Sequence, residues 1–312
     1  DGEGGARGGA PRRLAARGDK PLVRQAVRQA MRIIGRQFVM GRSIEEALER
    51  AEEGEKRGYR FSFDMLGEGA RTAADAERYF RAYEQAVAAI GKAAQAGGLT
   101  QPGISVKLSA LHPRYQYSQH DRIMAELMPR LRALALAARR SGIGLTIDAE
   151  EADRLDLSLD LFEAVYRDPG LSGPEGGWNG FGMVVQAYQK RAPLVIDWLA
   201  ALAREVGRRV PVRLVKGAYW DAEIKRAQVG GHDGHPVFTR KASTDVSYLA
   251  CARRLLAAAD ALYPQFATHN AQTIAAVLEL AGNERGFEFQ RLYGMGEALH
   301  DQIVAPPEEG GG

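Results

Sequence analysis

The stretch Val210-Pro-Val-Arg-Leu-Val-Lys-Gly-Ala-Tyr-Trp220 reads as a short apolar strand that ends in cations and small residues. Arg213 and Lys216 sit beside Gly217 and Ala218, and small residues let a planar ligand approach the backbone closely. Two cations at buried strand positions are costly without a counter-ion, so the pattern favours an anionic or electron-accepting group over a plain salt-bridged strand end. Six similar apolar runs flank this one, at 60–66, 104–111, 144–150, 180–188, 264–270 and 287–295. Helical patterns separate them, among these 73–96, 122–141, 193–208 and 245–261. Strands alternating with helices predict βα units around a parallel sheet.

Seven such units fit either an open doubly wound sheet or an incomplete (β/α)8 barrel. The polar residues choose between them. Glu68, Lys107, Asp148, Gln186, Lys216 and His269 all fall at or near the C-terminal ends of different strands. A barrel gathers its site on that face, whereas a doubly wound sheet concentrates it at one switch point. The expected fold is therefore α/β, a (β/α)8 TIM-type barrel with N-terminal helices and without its eighth βα unit. The expected layout is a disordered tail over 1–20, helices over 21–58, the barrel over 59–304 and a flexible loop over 305–312. A further expectation is that more chain emerges from that loop.

Composition narrows the function. Forty-five per cent hydrophobic content across 312 residues can bury one sizeable core, and a barrel takes about 250 residues as one unit. Net charge is only +3, so no global field calls for nucleic acid, and no nucleic-acid partner is expected from this segment. The basic arm carrying Arg12, Arg13, Arg17, Lys20, Arg24, Arg28, Arg32 and Arg36 reads as a solvated helix face and tail rather than a phosphate- or lipid-binding surface. The single cysteine, Cys251, excludes an internal disulfide and suits a reducing cytosol, where it reads as buried filler. No apolar run reaches the length of a membrane span, so any membrane association is expected to be peripheral.

Several residues carry chemistry. Lys107 and Asp148 stand in otherwise apolar runs, so each is expected to pair with the other or to contact a charged ligand such as an amino acid. A Schiff-base lysine, as in an aldolase, is the rival reading. Thr239-Arg-Lys-Ala-Ser-Thr244 places cations and hydroxyls just ahead of a helix expected to begin near Asp245, a setting suited to a pyrophosphate. His269, between Thr268 and Asn270, could donate to a ring or phosphate oxygen. No dinucleotide-binding glycine fingerprint or phosphate loop is present, and Gly294-Met-Gly296 fails the spacing. His232-x-x-His235 lacks a third ligand, so no metal is expected.

Six ordered motifs resemble the proline dehydrogenase domain of the bacterial proline utilization A family. They are Phe61-Ser-Phe-Asp-Met-Leu-Gly-Glu68, Gly103-Ile-Ser-Val-Lys-Leu-Ser-Ala-Leu-His-Pro-Arg-Tyr115, Ile147-Asp-Ala-Glu-Glu-Ala-Asp-Arg154, Gln186-Ala-Tyr-Gln-Lys-Arg191, Arg213-Leu-Val-Lys-Gly-Ala-Tyr-Trp-Asp221 and Phe266-Ala-Thr-His-Asn270. The likeness runs from about Pro21 to Val304. It implies non-covalent FAD and oxidation of L-proline to Δ1-pyrroline-5-carboxylate by hydride transfer from C5 to flavin N5. Electrons would pass to a membrane quinone from a cytoplasmic protein whose contact with the inner membrane is expected to be peripheral.

The same resemblance implies site roles. Lys107, Asp148 and Arg213 form the catalytic group, and Lys107, Asp148, Ala218, Tyr219, Glu68 and Leu292 bind substrate or proline-like carboxylate inhibitors. The flavin-binding positions are Ala149, Val184, Gln186, Arg213, Val215, Lys216, Gly217, Ala218, Trp220, Thr239, Arg240, Lys241, Thr244, Ala267, Thr268, His269, Asn270, Gln290 and Leu292. Family members continue into an eighth strand and a helix whose paired arginines grip the proline carboxylate, and some are fused to a pyrroline-5-carboxylate dehydrogenase domain. The stretch ending at Gly312 is thus expected to carry a fuller flavin half than proline half. A non-catalytic binding fragment is the remaining alternative.

Overall fold

The computed structural model describes residues 35, 37–67, 69–97, 101–172 and 177–304. Seven strands form one sheet in chain order: β1 (Ser62–Asp64), β2 (Gly103–Val106), β3 (Gly144–Ile147), β4 (Phe181–Gln186), β5 (Val210–Val215), β6 (Leu262–Ala267) and β7 (Glu288–Gln290). Every neighbouring pair is parallel. A doubly wound sheet would reverse its order at a switch point, so consecutive order selects the barrel class. The curl is visible in one contact: the Arg213 guanidinium of β5 donates to the Ser62 hydroxyl of β1 at 3.0 Å, although β2, β3 and β4 lie between them in the sheet. The result is a half-barrel.

The helices are α1 (Ile44–Glu55), α2 (Ala73–Gln95), α3 (Leu108–Leu111), α4 (His120–Glu126), α5 (Met128–Arg140), α6 (Leu155–Tyr166), α7 (Ala192–Val206), α8 (Trp220–Val229), α9 (Lys241–Ala257), α10 (Ala271–Ala281) and α11 (Glu297–Val304). Local chemistry sets their ends. Thr72 and Asp75 form a reciprocal capping box at the start of α2, with Thr72 Oγ1 accepting the Asp75 N–H at 3.1 Å and Asp75 Oδ2 accepting the Thr72 N–H at 3.0 Å. Ser43 starts α1 by accepting the Glu46 N–H, while the Glu46 carboxylate accepts from Arg42 N–H at 3.0 Å. Gly207, with φ 74°, closes α7 in the left-handed conformation that glycine adopts most readily.

The core lies between the sheet and the helices. Along β5 and β6 buried and partly open residues alternate, and Val210, Val212, Leu214, Leu262 and Phe266 are fully buried. Helices α7 and α9 pack on these strands. Phe181 of β4 stacks on Phe162 of α6 with ring centres 4.9 Å apart. Each such side chain contributes roughly 1.5–3 kcal/mol by leaving water. The opposite, concave face carries Ser62, Asp64, Ser105, Arg213, Gln265 and Glu288, so period-two alternation turns one sheet into an apolar outside and a polar inside.

All seven expected strands are present, but each was read too far at its C-terminal end. The run 104–111 stops as a strand at Val106, and Leu108–Leu111 is a helical turn. The reason is that Leu108, Ala110 and Leu111 are buried, so apolar patterning continues past the last extended residue. Helix α9 begins at Lys241 rather than near Asp245, which places the basic Thr239–Thr244 stretch across its first turn. Cys251 is buried on α9, where burial pushes its thiol up to about 11. The tail, most of the expected helix over 21–38, the basic arm, Glu68 and the loop 305–312 lie outside the described residues. Among the described residues no helix is long and apolar enough to cross a membrane.

Candidate active site

Strand ends bring the charged residues together. Lys107 follows β2, Asp148 follows β3, Gln186 ends β4, Lys216 follows β5 and His269 lies two positions after β6. Lys107 Nζ donates to Asp148 Oδ2 at 2.8 Å and to both Asp64 oxygens at 2.9 and 3.1 Å. Arg213 donates to Ser105 Oγ at 2.8 Å and to Asp148 Oδ1 at 3.4 Å. Its Nε is buried with no hydrogen-bond partner. Among the described residues, the four charges of Lys107, Arg213, Asp64 and Asp148 gather on the concave face, two of each sign.

The expected pairing of Lys107 with Asp148 is therefore present. Burial opposes the Lys107 charge, yet the carboxylates of Asp148 and Asp64 outweigh it and raise the ammonium above its ordinary value. A lysine held protonated in this way is a poor Schiff-base nucleophile, which removes the physical ground for the aldolase reading at Lys107. Asp64 is raised as well, by burial first and then by the Asp148 charge, against the pull of Lys107 and Arg213. Tyr83 of α2 accepts the Lys107 N–H at its hydroxyl, and burial pushes that phenol up to about 12.

The expectation that Arg213 and Lys216 lack counter-ions is corrected. Arg213 meets Asp148, and Lys216 Nζ meets Asp245 Oδ1 at 2.6 Å. Both partners lie far away in sequence, which is why the strand looked unneutralised. Lys241 Nζ donates to the other Asp245 oxygen at 2.6 Å, and the hydrogen bonds of the two lysines hold the Asp245 carboxyl below its ordinary value. Two cations against one anion leave a positive surplus at the start of α9, whose N-cap residue Arg240 makes no side-chain cap.

The remaining expected positions line the same end of the sheet. Val184 lies within β4, Val215, Ala267 and Gln290 end β5, β6 and β7, and Ala149 follows Asp148. Gln186 is buried: its Nε2 donates to the Glu150 carbonyl at 2.7 Å and its Oε1 accepts the Ala218 N–H at 3.0 Å, so it fixes the loop after β5. Gly217 has φ 149°, and a Cβ there would fall 2.4 Å from the Tyr188 ring. Tyr219 is the N-cap of α8, and its N–H donates to the Tyr188 hydroxyl at 3.3 Å. Trp220 Nε1 donates to the Phe238 carbonyl at 3.0 Å.

His269 accepts the Leu292 N–H at Nε2, 2.9 Å away, so its donor is Nδ1–H. Burial, His300 and Arg291 lower its basicity. Asn270 caps α10 by accepting the Thr273 N–H at 2.9 Å, and Thr268 is buried with its carbonyl meeting His300 Nε2. Thr244 is buried in α9, whereas Thr239 and Arg240 are exposed beside it. Sequence reasoning missed Asp64, Ser62, Ser105 and Asp245 as members of the site. The period-two register with Lys107 and Arg213 was the available signal for the first three.

A parallel sheet curled in chain order, with its charged side chains gathered at the C-terminal strand ends, is the scaffold of a barrel enzyme. The chain belongs to the proline dehydrogenase family, whose sequence profile matches residues 47–310. It is 56% identical over 302 residues to the bifunctional protein PutA of Klebsiella aerogenes, a match covering 96% of this chain and 23% of that protein. It is 28% identical over 291 residues to a proline dehydrogenase of Deinococcus radiodurans, covering 92% of this chain and 83% of the relative. Among solved structures, a mutant proline utilization A of Bradyrhizobium japonicum matches with TM-score 0.80 and 58% identity over 94% of this chain and 30% of that one. The Bdellovibrio bacteriovorus protein inactivated by N-propargylglycine matches with TM-score 0.85 and 30% identity over 91% of this chain and 31% of that one. The chain thus spans about a quarter of the bifunctional relatives' length.

Proposed function

We propose that this chain is the proline-oxidising segment of a longer bifunctional protein, and that it converts L-proline to Δ1-pyrroline-5-carboxylate with FAD held along the C-terminal strand ends. The observation that carries this reading is the Lys107–Asp148–Arg213 cluster, with Lys107 and Asp148 just past the ends of β2 and β3 and Arg213 on β5, within the family match. Several features fit the cofactor. Arg213 keeps a buried Nε without a partner, Gly217 and Ala218 are exposed and small, and the positive surplus of Lys216 and Lys241 at the uncapped start of α9 suits a pyrophosphate. The chemistry that FAD supplies when bound is acceptance of a hydride from proline C5.

The chain's own groups bind and orient. Lys107, kept as an ammonium, attracts the proline carboxylate, and Asp148 faces the amine. Ala218, Tyr219 and Leu292 provide the wall beside them. The positive Arg213 suits an electron-rich ring, and Nδ1–H of His269 is the donor it offers to a cofactor oxygen. Electrons would leave toward a membrane quinone, with the protein on the cytoplasmic side and associated only peripherally. The test is product formation. Chain loaded with FAD and given L-proline plus a quinone should yield the imine, detected as its o-aminobenzaldehyde adduct, and loaded chain that yields none would overturn the reading.

A further inference from the structure

Lys107 is gripped by two carboxylates that are not equivalent. Asp148 is 15% exposed at its side chain, lies 2.8 Å from Lys107 Nζ and also faces Arg213. Asp64 is 48% exposed, reaches in from the end of β1 and places both oxygens on the same ammonium at 2.9 and 3.1 Å. Asp148 is thus pinned from two sides, whereas Asp64 can swing out into solvent. A carboxylate with both oxygens on that ammonium is also the form in which an α-carboxylate would meet it.

We propose that Asp64 is a built-in stand-in for the substrate carboxylate, occupying the anion position on Lys107 and yielding it when an anionic ring ligand binds. Charge balance drives the exchange. Among the described residues the charged groups facing Asp64 are Lys107 after β2, Asp148 after β3 and Arg213 of β5, with the neutral phenol of Tyr83 beside them, and these four charges balance only while Asp64 supplies the second negative one. An added carboxylate makes the cluster net negative unless Asp64 leaves or takes a proton, and like charges at this distance repel strongly in a partly buried site. Asp64 is already raised above the ordinary carboxyl value by burial and Asp148, so release as the neutral acid is open to it. The residue would act as a specificity filter, rejecting weakly bound anions and admitting ligands whose ring contacts compensate for its displacement. It is a positioning residue, since it acts on the ligand through Lys107.

This inference rests on the proposed proline site, so the test uses a ring carboxylate without the reacting amine. Tetrahydrofuran-2-carboxylate is titrated calorimetrically into FAD-loaded wild-type chain and into Asp64→Asn and Asp64→Ser, across pH 5.5 to 8.5, with pyrrolidine as the probe lacking a carboxylate. Both variants are expected to bind the carboxylate about tenfold more tightly, the size of one charge-assisted contact, with pyrrolidine unchanged. Wild-type affinity should rise as pH falls, and that slope should flatten in both variants. Unchanged or weaker carboxylate binding in the variants, with wild type binding normally, overturns the stand-in and leaves the proline site untouched. No carboxylate binding in any of the three proteins overturns both. Two variants of different size separate loss of charge from a packing defect, since a defect would not raise affinity.

Discussion

Lys107 shows at the scale of one side chain how charge balance builds this site. Replacing it with methionine removes the cation shared by Asp64 and Asp148 and leaves two carboxylates facing each other. The expected cost is about 2–3 kcal/mol in urea unfolding, less than for a sealed ion pair because Asp64 is half open to solvent. Asp64 already sits above its ordinary value, and the lost cation raises it further. A group raised in the folded state contributes stability at low pH and loses it as pH rises, so the Lys107→Met defect should shrink on acidification. A defect that grows on acidification would contradict this account. His269 gives the opposite sign. Its basicity is lowered from 6.5, so the contact from Leu292 N–H is fully present above that value, and it is lost only as pH falls through the lower value of the folded state. Nitrogen NMR at neutral pH should show a neutral ring with the proton on Nδ1, and a protonated ring there would be the contrary result.

The elements show why the chain could be read so far and no further. Alternation along β5 and β6 was visible in the sequence because outward Val210, Val212 and Leu214 interleave with inward residues. Strand ends were not, because buried Leu108, Ala110 and Leu111 continue the apolar pattern into a helical turn. The start of α9 was missed for the reverse reason, since Arg240 provides no side-chain cap to mark it. The Thr72 capping box is an element-scale device with a clear cost: Thr72→Ala should lower stability by about 1 kcal/mol in the same unfolding assay. Gly217 is the sharper case. Alanine there must accept φ 149° and a contact 2.4 Å from the buried Tyr188 ring. Gly217→Ala is expected to cost roughly 1–3 kcal/mol and to abolish retention of FAD through gel filtration, by shifting the loop that carries Ala218 and Tyr219. A variant that keeps its flavin would show that the loop geometry is not what the cofactor needs.

Across the whole molecule, the barrel class followed from polar residues recurring at strand ends, and chain-order pairing of the seven strands agrees with it. The pairing of Lys107 with Asp148 followed as well, but the contacts of Asp64 with Lys107, Asp148 with Arg213 and Asp245 with Lys216 did not, because these groups meet only after the sheet has curled and the helices have packed. The period-two register shows which side chains share a face, but not which of them will meet across the curled sheet. The proposed function requires this fold to hold FAD and deliver proline to it. Anaerobic titration of FAD-loaded chain with L-proline tests that directly, following the visible flavin absorption. Saturable bleaching is expected with proline and none with pyrrolidine at matched concentration; flavin that stays bound and fully coloured at saturating proline would overturn the proposed function.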